Sequence, residues 1–544
     1  MTGTARTEPA APDRLLQRRA IPWQALLPYL PAALLSLGGA ALLIYDLRFG
    51  PWVFSDSTAY IASARSLAAG RGLGMVGPAG EFMPLTLHPP LYPALMALAI
   101  ALFDLDPMTT AAALAVLAYA GSILLLTGGV YALTRSWVWG ACAGGLMLAS
   151  RAMVANFDGA MTEGLFIFLL LAVLFALAAF HRTAKTAWWV GAAVAAAAAC
   201  LTRFTGIALV AAGALALLAL GGGAWRQKAG RALRYALISA LPLALWLGAG
   251  ALQQGRLAAR QVEARPDLLA AANQFRGALV EQLVLWLPFQ SRLPDWRSKS
   301  LVFYGLALCV LGLGALALYR LRQNGRDQGG SSLWLLAGLV AAAYVGFVGF
   351  SYLFSSLPPD LNERMFSPLQ PLVFLLAFGS PVLFERAYGL RPVSLRVAVQ
   401  IVLLGLGLLA AWAYLPATLD WVEERHQTGS GYTSLEWRNS ELAAAVRALP
   451  ADVPLISNQA AAVLYTTGRF PYELTLPGPD GAVTPLAQGA WADVYVRQCA
   501  ALVLFEQHPV VPPAQAETLI AGQQVYRDLQ DGGIYFAPAC PLPD

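Results

Sequence analysis

Eleven stretches of this chain are long and apolar, and none carries an Asp, Glu, Lys, Arg or His near its middle. That pattern leaves few folds open. A bilayer core about 30 Å thick needs about 20 apolar residues of helix to cross it. Inside hydrocarbon, backbone polar groups can be satisfied only within a helix or a closed barrel. The runs lie at 22–45, 108–133, 137–153, 163–181, 187–202, 205–220, 235–252, 300–319, 333–355, 368–384 and 397–415. Only 12% of the residues are charged and 58% are hydrophobic, whereas a soluble domain carries about 25% charged. A disordered chain, a disulfide-dense module and an ordinary soluble enzyme are excluded. A polytopic α-helical membrane protein is expected.

The cations fix an orientation through the positive-inside rule. Residues 1–21, with Arg6, Arg14, Arg18 and Arg19, read as a cytoplasmic tail before an uncleaved anchor. Alternate loops then carry Arg135; Arg182 and Lys185; Arg226, Lys228, Arg231 and Arg234; Arg320, Arg322 and Arg326; and Arg386, Arg391 and Arg396. Every one of these loops is short and basic, which predicts the N-terminus inside and the C-terminus outside. A net charge of +5 is explained by these loops, so no nucleic-acid partner is implied. Residues 89–103 are too short for a comfortable span, and counting them would invert all later loops. They read instead as a membrane-surface helix. A second such helix is expected over 57–70, ended by Gly70-Arg-Gly-Leu-Gly74, so that 46–107 forms one long external loop.

Beyond residue 415 the composition becomes that of a soluble domain. Strand-like Pro454–Ser457, Ala500–Phe505 and Gly533–Phe536 alternate with helical Ser440–Ala448 and Ala514–Gln523, so 416–544 reads as a small extracytoplasmic α/β domain. It contains Cys499 and Cys540, which an oxidising exterior would let pair and which read equally as two free thiols. The external loop 253–299 holds a helix-like stretch, Asp267 to Trp286, that could cover a site as a lid or rest on lipid headgroups.

Ionisable residues near the spans gather at their outer ends: Arg151, Asp158, Glu163, Arg203, Glu363 and Arg364, joined by Asp46, Asp56 and His88 of the first loop. Asp56, in Phe54-Ser-Asp-Ser-Thr-Ala-Tyr60, stands at the head of a surface helix. It reads as a carboxylate facing the aqueous side and equally as an N-cap. His88-Pro-Pro opens the second surface helix, where proline suits a helix start. Glu163 falls in the first turn of a span, where the helix dipole favours an acid. Arg203 sits in the turn Leu201-Thr-Arg-Phe-Thr-Gly206, where snorkelling would also explain it.

These segments together, with Asn362-Glu-Arg-Met-Phe-Ser-Pro-Leu-Gln-Pro371, resemble the GT-C membrane glycosyltransferases over about residues 22–415. The likeness is to the protein O-mannosyltransferases and the lipid A aminoarabinose transferases. The resemblance implies a GT-C fold and transfer of a sugar from a polyprenyl-phosphate donor to an acceptor hydroxyl at the outer face of the cytoplasmic membrane. The acceptor would be a glycan, a lipid or a protein, and membrane lipids would surround the enzyme. By position, Asp56 would be the general base and Glu163 the second catalytic acid. Arg364, Arg203 and His88 would bind the donor phosphate, and Tyr60, Asp158 and Glu363 would contact substrate. Ser57 follows Asp56 where O-mannosyltransferases carry a second acid, which weakens a protein acceptor. No ligand spacing demands a metal, although Asp56, His88 and Glu163 could hold a divalent ion if they converge. Two other functions fit a membrane chain of this kind: a flippase or exporter of lipid-linked glycans, and a non-catalytic glycan-assembly subunit. The charge-free span centres speak against ion-coupled transport.

Overall fold

The computed structural model describes residues 26–254, 262–324, 328–388, 393–476, 483, 485–488, 491–506 and 511–543. The N-terminal tail with its four arginines, the start of the first span, Arg256, Arg260, Arg326 and Arg391 lie outside the described residues, as does the side chain of Arg322.

The first long helix, α1 (Leu30–Asp46), is followed by helices over the two stretches expected to be helical in the first loop, α2 (Ser55–Ala68) and α3 (Leu91–Phe103). Between these lies a short hairpin of β1 (Gly74–Val76) and β2 (Phe82–Pro84). Helix α4 (Pro107–Leu124) continues through a wide turn into α5 (Val130–Thr134). The expected span 137–153 is not straight: α6 (Trp137–Ala149) and α7 (Arg151–Phe157) meet at 67°. Ser150 breaks the run by adopting extended backbone (φ −86°, ψ 116°).

Then come α8 (Thr162–Thr183), α9 (Thr186–Thr202), α10 (Ile207–Ala219), α11 (Trp225–Gln254), α12 (Leu268–Leu285), α13 (Trp296–Asn324) and α14 (Gln328–Leu353). The short α15 (Glu363–Phe366) leads into α16 (Gln370–Tyr388). Among the described residues, eight helices are long and apolar enough to cross a membrane, nine with the bent pair. Helices α9 and α10 are apolar but shorter. The protein is a multi-pass membrane protein. Its centre is α8, whose apolar residues are buried almost all round, as expected of a helix surrounded by helices rather than lipid.

Helix α17 (Val393–Thr428) does not stop where the apolar run ends. It passes through Pro416 and carries Trp421 and Arg425 well past the membrane stretch. Beyond it lie α18 (Leu435–Arg438), α19 (Glu441–Ala448), β3 (Leu455–Ser457), α20 (Ala460–Thr467), β4 (Tyr472–Glu473), β5 (Ala501–Phe505), α21 (Pro513–Ile520), β6 (Gln524–Leu529) and β7 (Gly532–Phe536). The five strands form one mixed sheet in the order β4-β3-β5-β7-β6, parallel on the β4–β3–β5 side and antiparallel on the other. Its central strands β3, β5 and β7 are buried throughout. Cys499 and Cys540 form a disulfide with Cα atoms 5.5 Å apart.

The sheet does not have a core to itself. Trp52, Val53, Tyr60, Ile61, Tyr92 and Met96 of the first loop pack into the same buried cluster as Leu455, Leu502 and Phe536. Two close approaches fix the first loop, one to the C-terminal domain and one to the turn before α8. Val53 bridges Gly431, whose φ of +57° and whose place against the Val53 carbonyl leave no room for a Cβ. Trp52 bridges Gly159, where an added Cβ would fall 2.5 Å from the indole.

Candidate active site

Four elements converge at the end of the bundle that faces the sheet. Asp56 lies in the first turn of α2, Glu163 in the first turn of α8, Arg203 in the turn after α9, and Arg364 in α15. Their local sequences explain the placement. Phe54, not Asp56, is the N-cap of α2, and its backbone N–H donates to the Ser57 hydroxyl at 3.3 Å. Asp56 is therefore released from capping, which corrects the reading of this acid as the N-cap. Ser57 itself is fully buried, with its hydroxyl 3.0 Å from the Met161 sulfur, so an acid at that position would point into the core. Arg203 leaves α9 with extended backbone. Asn362 caps α15 through the Met365 N–H at 3.2 Å, orienting the one-turn helix that carries Arg364.

Glu163 is the centre of the cluster. Its side chain is 2% exposed, and one oxygen accepts from Arg364 Nη2 at 2.7 Å and Nε at 3.1 Å and lies 2.8 Å from Arg203 Nη1. Arg203 also donates to the Thr162 hydroxyl at 3.1 Å. A carboxylate this buried tolerates its charge only because two guanidiniums hold it. Asp56 is 40% exposed and looser, 3.6 Å from Arg364 Nη2 and 3.7 Å from His88 Nε2. The other ring nitrogen of His88 lies 3.1 Å from the Tyr60 hydroxyl. Tyr60 is buried behind the histidine, and that burial raises its pKa and keeps its phenol protonated. Tyr60 thus orients His88 and is not itself presented to solvent.

The remaining candidates sit apart. Asp158 is 1% exposed and engaged by Trp52 Nε1 at 2.5 Å, Trp421 Nε1 at 3.3 Å and Arg425 Nε at 3.0 Å. Burial raises the pKa of its carboxyl, and Arg425 and the two indoles only partly offset that rise. Glu363 lies within electrostatic range of Arg151. Trp52 joins the two groups: its N–H binds Asp158 and its ring lies 5.6 Å from the Arg364 guanidinium, within cation–π reach. Trp52, Trp421 and Arg425 do not stand out in the sequence. The Trp421–Arg425 spacing of four on a helix running past the membrane was the available signal. Helix α12 occupies the expected 267–286 stretch and sets Phe275 against Phe366 of α15, ring centres 6.0 Å apart.

Among the described residues no three His, Cys, Asp or Glu side chains are grouped to hold a metal ion. Asp56 and His88 adjoin, but the third candidate ligand, Glu163, is occupied by two arginines.

Known structures with this arrangement of helices exist. The crystal structure of ArnT from Cupriavidus metallidurans bound to undecaprenyl phosphate superposes with a TM-score of 0.58 at 14% identity, over 96% of this chain and 100% of that one. The chain has the GT-C fold. The apo form of the same ArnT gives 0.58 at 13% identity, over 94% of this chain and 98% of that one. The archaeal oligosaccharyltransferase AglB from Archaeoglobus fulgidus gives 0.49 at 12% identity, over 96% of this chain and 75% of that one. Residues 87–249 of this chain match the family of dolichyl-phosphate-mannose-protein mannosyltransferases. No curated protein matches the sequence.

Proposed function

We propose that this protein is a glycosyltransferase that moves a sugar from a polyprenyl-phosphate donor to an acceptor hydroxyl at the outer face of the cytoplasmic membrane. One observation carries the reading: a half-exposed carboxylate, Asp56, stands 3.6 Å from Arg364, which with Arg203 is anchored on the buried Glu163. The likeness to an ArnT bound to undecaprenyl phosphate and the match to the mannosyltransferase family support the donor class. The disulfide in the C-terminal domain supports an extracytoplasmic location, since such bonds persist in oxidising compartments.

The charges suit a single displacement with inversion. The acceptor oxygen attacks the anomeric carbon, its proton passes to Asp56, and the bond from that carbon to the phosphate oxygen breaks. The phosphate leaves as a monoester, gaining one negative charge, while Asp56 loses one. The net charge of Asp56, Glu163, Arg203 and Arg364 therefore becomes more positive by one as the leaving group becomes more negative. Arg364 suits that oxygen because its planar fork can give paired hydrogen bonds. Glu163 is best placed as the fixed counter-charge that aims both arginines, and His88 as a neighbour that orients Asp56.

The test is sugar transfer by purified protein from undecaprenyl-phosphate sugars, with envelope glycans compared between wild-type and deletion strains. Asp56→Asn is expected to reduce transfer at least 100-fold, within the range for loss of a general base. Turnover of no donor, together with unchanged envelope glycans, would refute the assignment.

A further inference from the structure

A cavity opens at the other end of the bundle, between the turn joining α5 to α6 and the ends of α13, α16 and α17. Its volume is about 550 Å³, within the roughly 300–1,000 Å³ of small-molecule sites. Arg135, Glu385, Arg386, Arg396 and Gln400 are among its lining residues. Helix α16 begins just after the turn that carries Arg364 and ends at this cavity. Its 19 residues, at about 1.5 Å each, place its two ends about 28 Å apart, close to the thickness of a bilayer core. The cavity therefore lies at the membrane boundary opposite the proposed reaction centre, on the side to which the positive-inside pattern assigns the cytoplasm.

The wall is built from fixed parts. Arg386 Nη2 donates to the Thr134 carbonyl at 2.6 Å and ties α16 to the end of α5. The Thr134 hydroxyl accepts from the Ser136 N–H at 3.1 Å, and Ser136 caps α6 by accepting from the Trp139 N–H at 3.3 Å. Arg135 occupies the tight turn between them with a φ of +58°. Its guanidinium lies 5.4 Å from the centre of the Tyr131 ring, which stacks on Trp137 at 4.3 Å. Among the described residues Arg135 has no carboxylate partner. Arg396 pairs through Nε with Glu385 at 3.1 Å, and Glu385 is 6% exposed while Arg396 is 56% exposed. A buried acid thus holds a half-exposed arginine at the cavity, as Glu163 holds Arg364 at the other end of the bundle.

We propose that this cavity binds the phosphate of an anionic phospholipid in the leaflet opposite the proposed reaction centre, with Arg135 and Arg396 as its cations. Glu385 neutralises one of these two guanidiniums and leaves the other for an anion, and the planar fork of arginine suits a phosphate. Basic pockets between spans on the cytoplasmic side favour acidic headgroups for this reason. The neighbouring surface favours a lipid over a soluble phosphate. Beside Arg396 and Gln400, Val397, Ile401, Leu404 and Leu408 of α17 are exposed and recur at helical spacing. They form an apolar track along which an acyl chain could run from the headgroup into the bilayer. The stacked Tyr131 and Trp137 suit the boundary itself, where aromatic rings gather. The site does not depend on the glycosyltransferase reading.

The experiment is calorimetric titration of the purified full-length protein, stripped of lipid in an uncharged detergent. The titrants are short-chain phosphatidylglycerol, short-chain phosphatidylcholine, undecaprenyl phosphate and inorganic phosphate. The wild type is expected to bind phosphatidylglycerol at least tenfold more tightly than phosphatidylcholine or inorganic phosphate. Two variants test the cations, with circular dichroism to report an intact fold. In Arg135→Asn the short side chain tolerates the positive φ. Glu385→Gln combined with Arg396→Gln removes both members of the pair, so that no charge is left buried alone. Each should weaken phosphatidylglycerol binding about fivefold, the weight of one cation near an anionic headgroup. Arg231→Gln, which removes a cation from another loop on the same side, should leave it unchanged. Phosphatidylglycerol binding no tighter than that of phosphatidylcholine or inorganic phosphate would overturn the proposal, as would affinity unaffected by both variants or an equal loss in Arg231→Gln. Weaker binding of undecaprenyl phosphate alone in the two variants would assign the cavity to the polyprenyl lipid and overturn it too.

Discussion

Arg364 stands between two carboxylates of unequal exposure, Glu163 at 2% and Asp56 at 40%, and that inequality separates their roles. A buried acid locked by two guanidiniums cannot easily take a proton, because doing so would leave both cations without a counter-charge. A half-exposed acid 3.6 Å from one of them can. Removing each should therefore fail in a different way. Asp56→Asn is expected to keep the melting temperature within about 2 °C while abolishing transfer. Glu163→Gln should destabilise the fold by roughly 3–5 kcal/mol, as expected when one partner of a buried ion pair is lost, and should abolish transfer too. Thermal unfolding alongside the transfer assay distinguishes them, and equal melting temperatures for the two variants would contradict this division. Asp56, Glu163, Arg203, Arg364 and His88 could all be picked from the sequence by residue type and position. Their ranking could not, since exposure depends on neighbours more than 100 residues away.

Helix α17 shows what an element can do beyond crossing a membrane. Its apolar run ends near residue 415, yet the helix continues to Thr428 and brings Arg425 to Asp158 and Trp421 against both. The Asp158 carboxylate holds Trp52, and Trp52 underlies Arg364, so the extension supports the proposed reaction centre indirectly. Arg425→Ala would leave a carboxylate that is 1% exposed without its cation. A loss of about 3–5 kcal/mol is expected, with weaker undecaprenyl phosphate binding as Trp52 loosens. Adding Asp158→Asn should recover part of the loss, and a double-mutant cycle on urea midpoints would measure a coupling of about 0.5–3 kcal/mol. Strict additivity would sink the idea. Hydropathy cannot reveal such an extension, because it reports where apolar residues stop and not where a helix stops.

For the whole molecule the issue is sidedness. The proposed reaction centre and the sheet share one core, so both must lie on the same side of the membrane. With the N-terminus inside, that side is outside. Cysteines introduced by Arg447→Cys and Arg231→Cys should behave oppositely toward a membrane-impermeant maleimide in intact cells: the first should react at once, the second only after lysis. The reverse pattern would refute the orientation. The Cys499–Cys540 bond closes a 41-residue separation, for which chain entropy gives about 4 kcal/mol. Cys540→Ser should lower the melting temperature of the protein, and a chemical reductant should reproduce the effect on the wild type. No change in either case would show that the seam with the first loop, not the disulfide, holds the sheet.

By itself the sequence determined that the chain crosses a membrane many times, that two helices follow the first span, and that its acids and arginines gather at one end of the spans. Those properties are local or periodic, and each follows from a short window of residue types. The tertiary structure decided the rest: the break at Ser150, the start of α2 at Phe54 rather than Asp56, the pairing of Glu163 with Arg203 and Arg364, and the sharing of one core by the first loop and the C-terminal sheet. Each of these depends on which distant surfaces meet and exclude water. A carboxylate's role as exposed base or buried counter-charge is set by that meeting, and no window of sequence contains it.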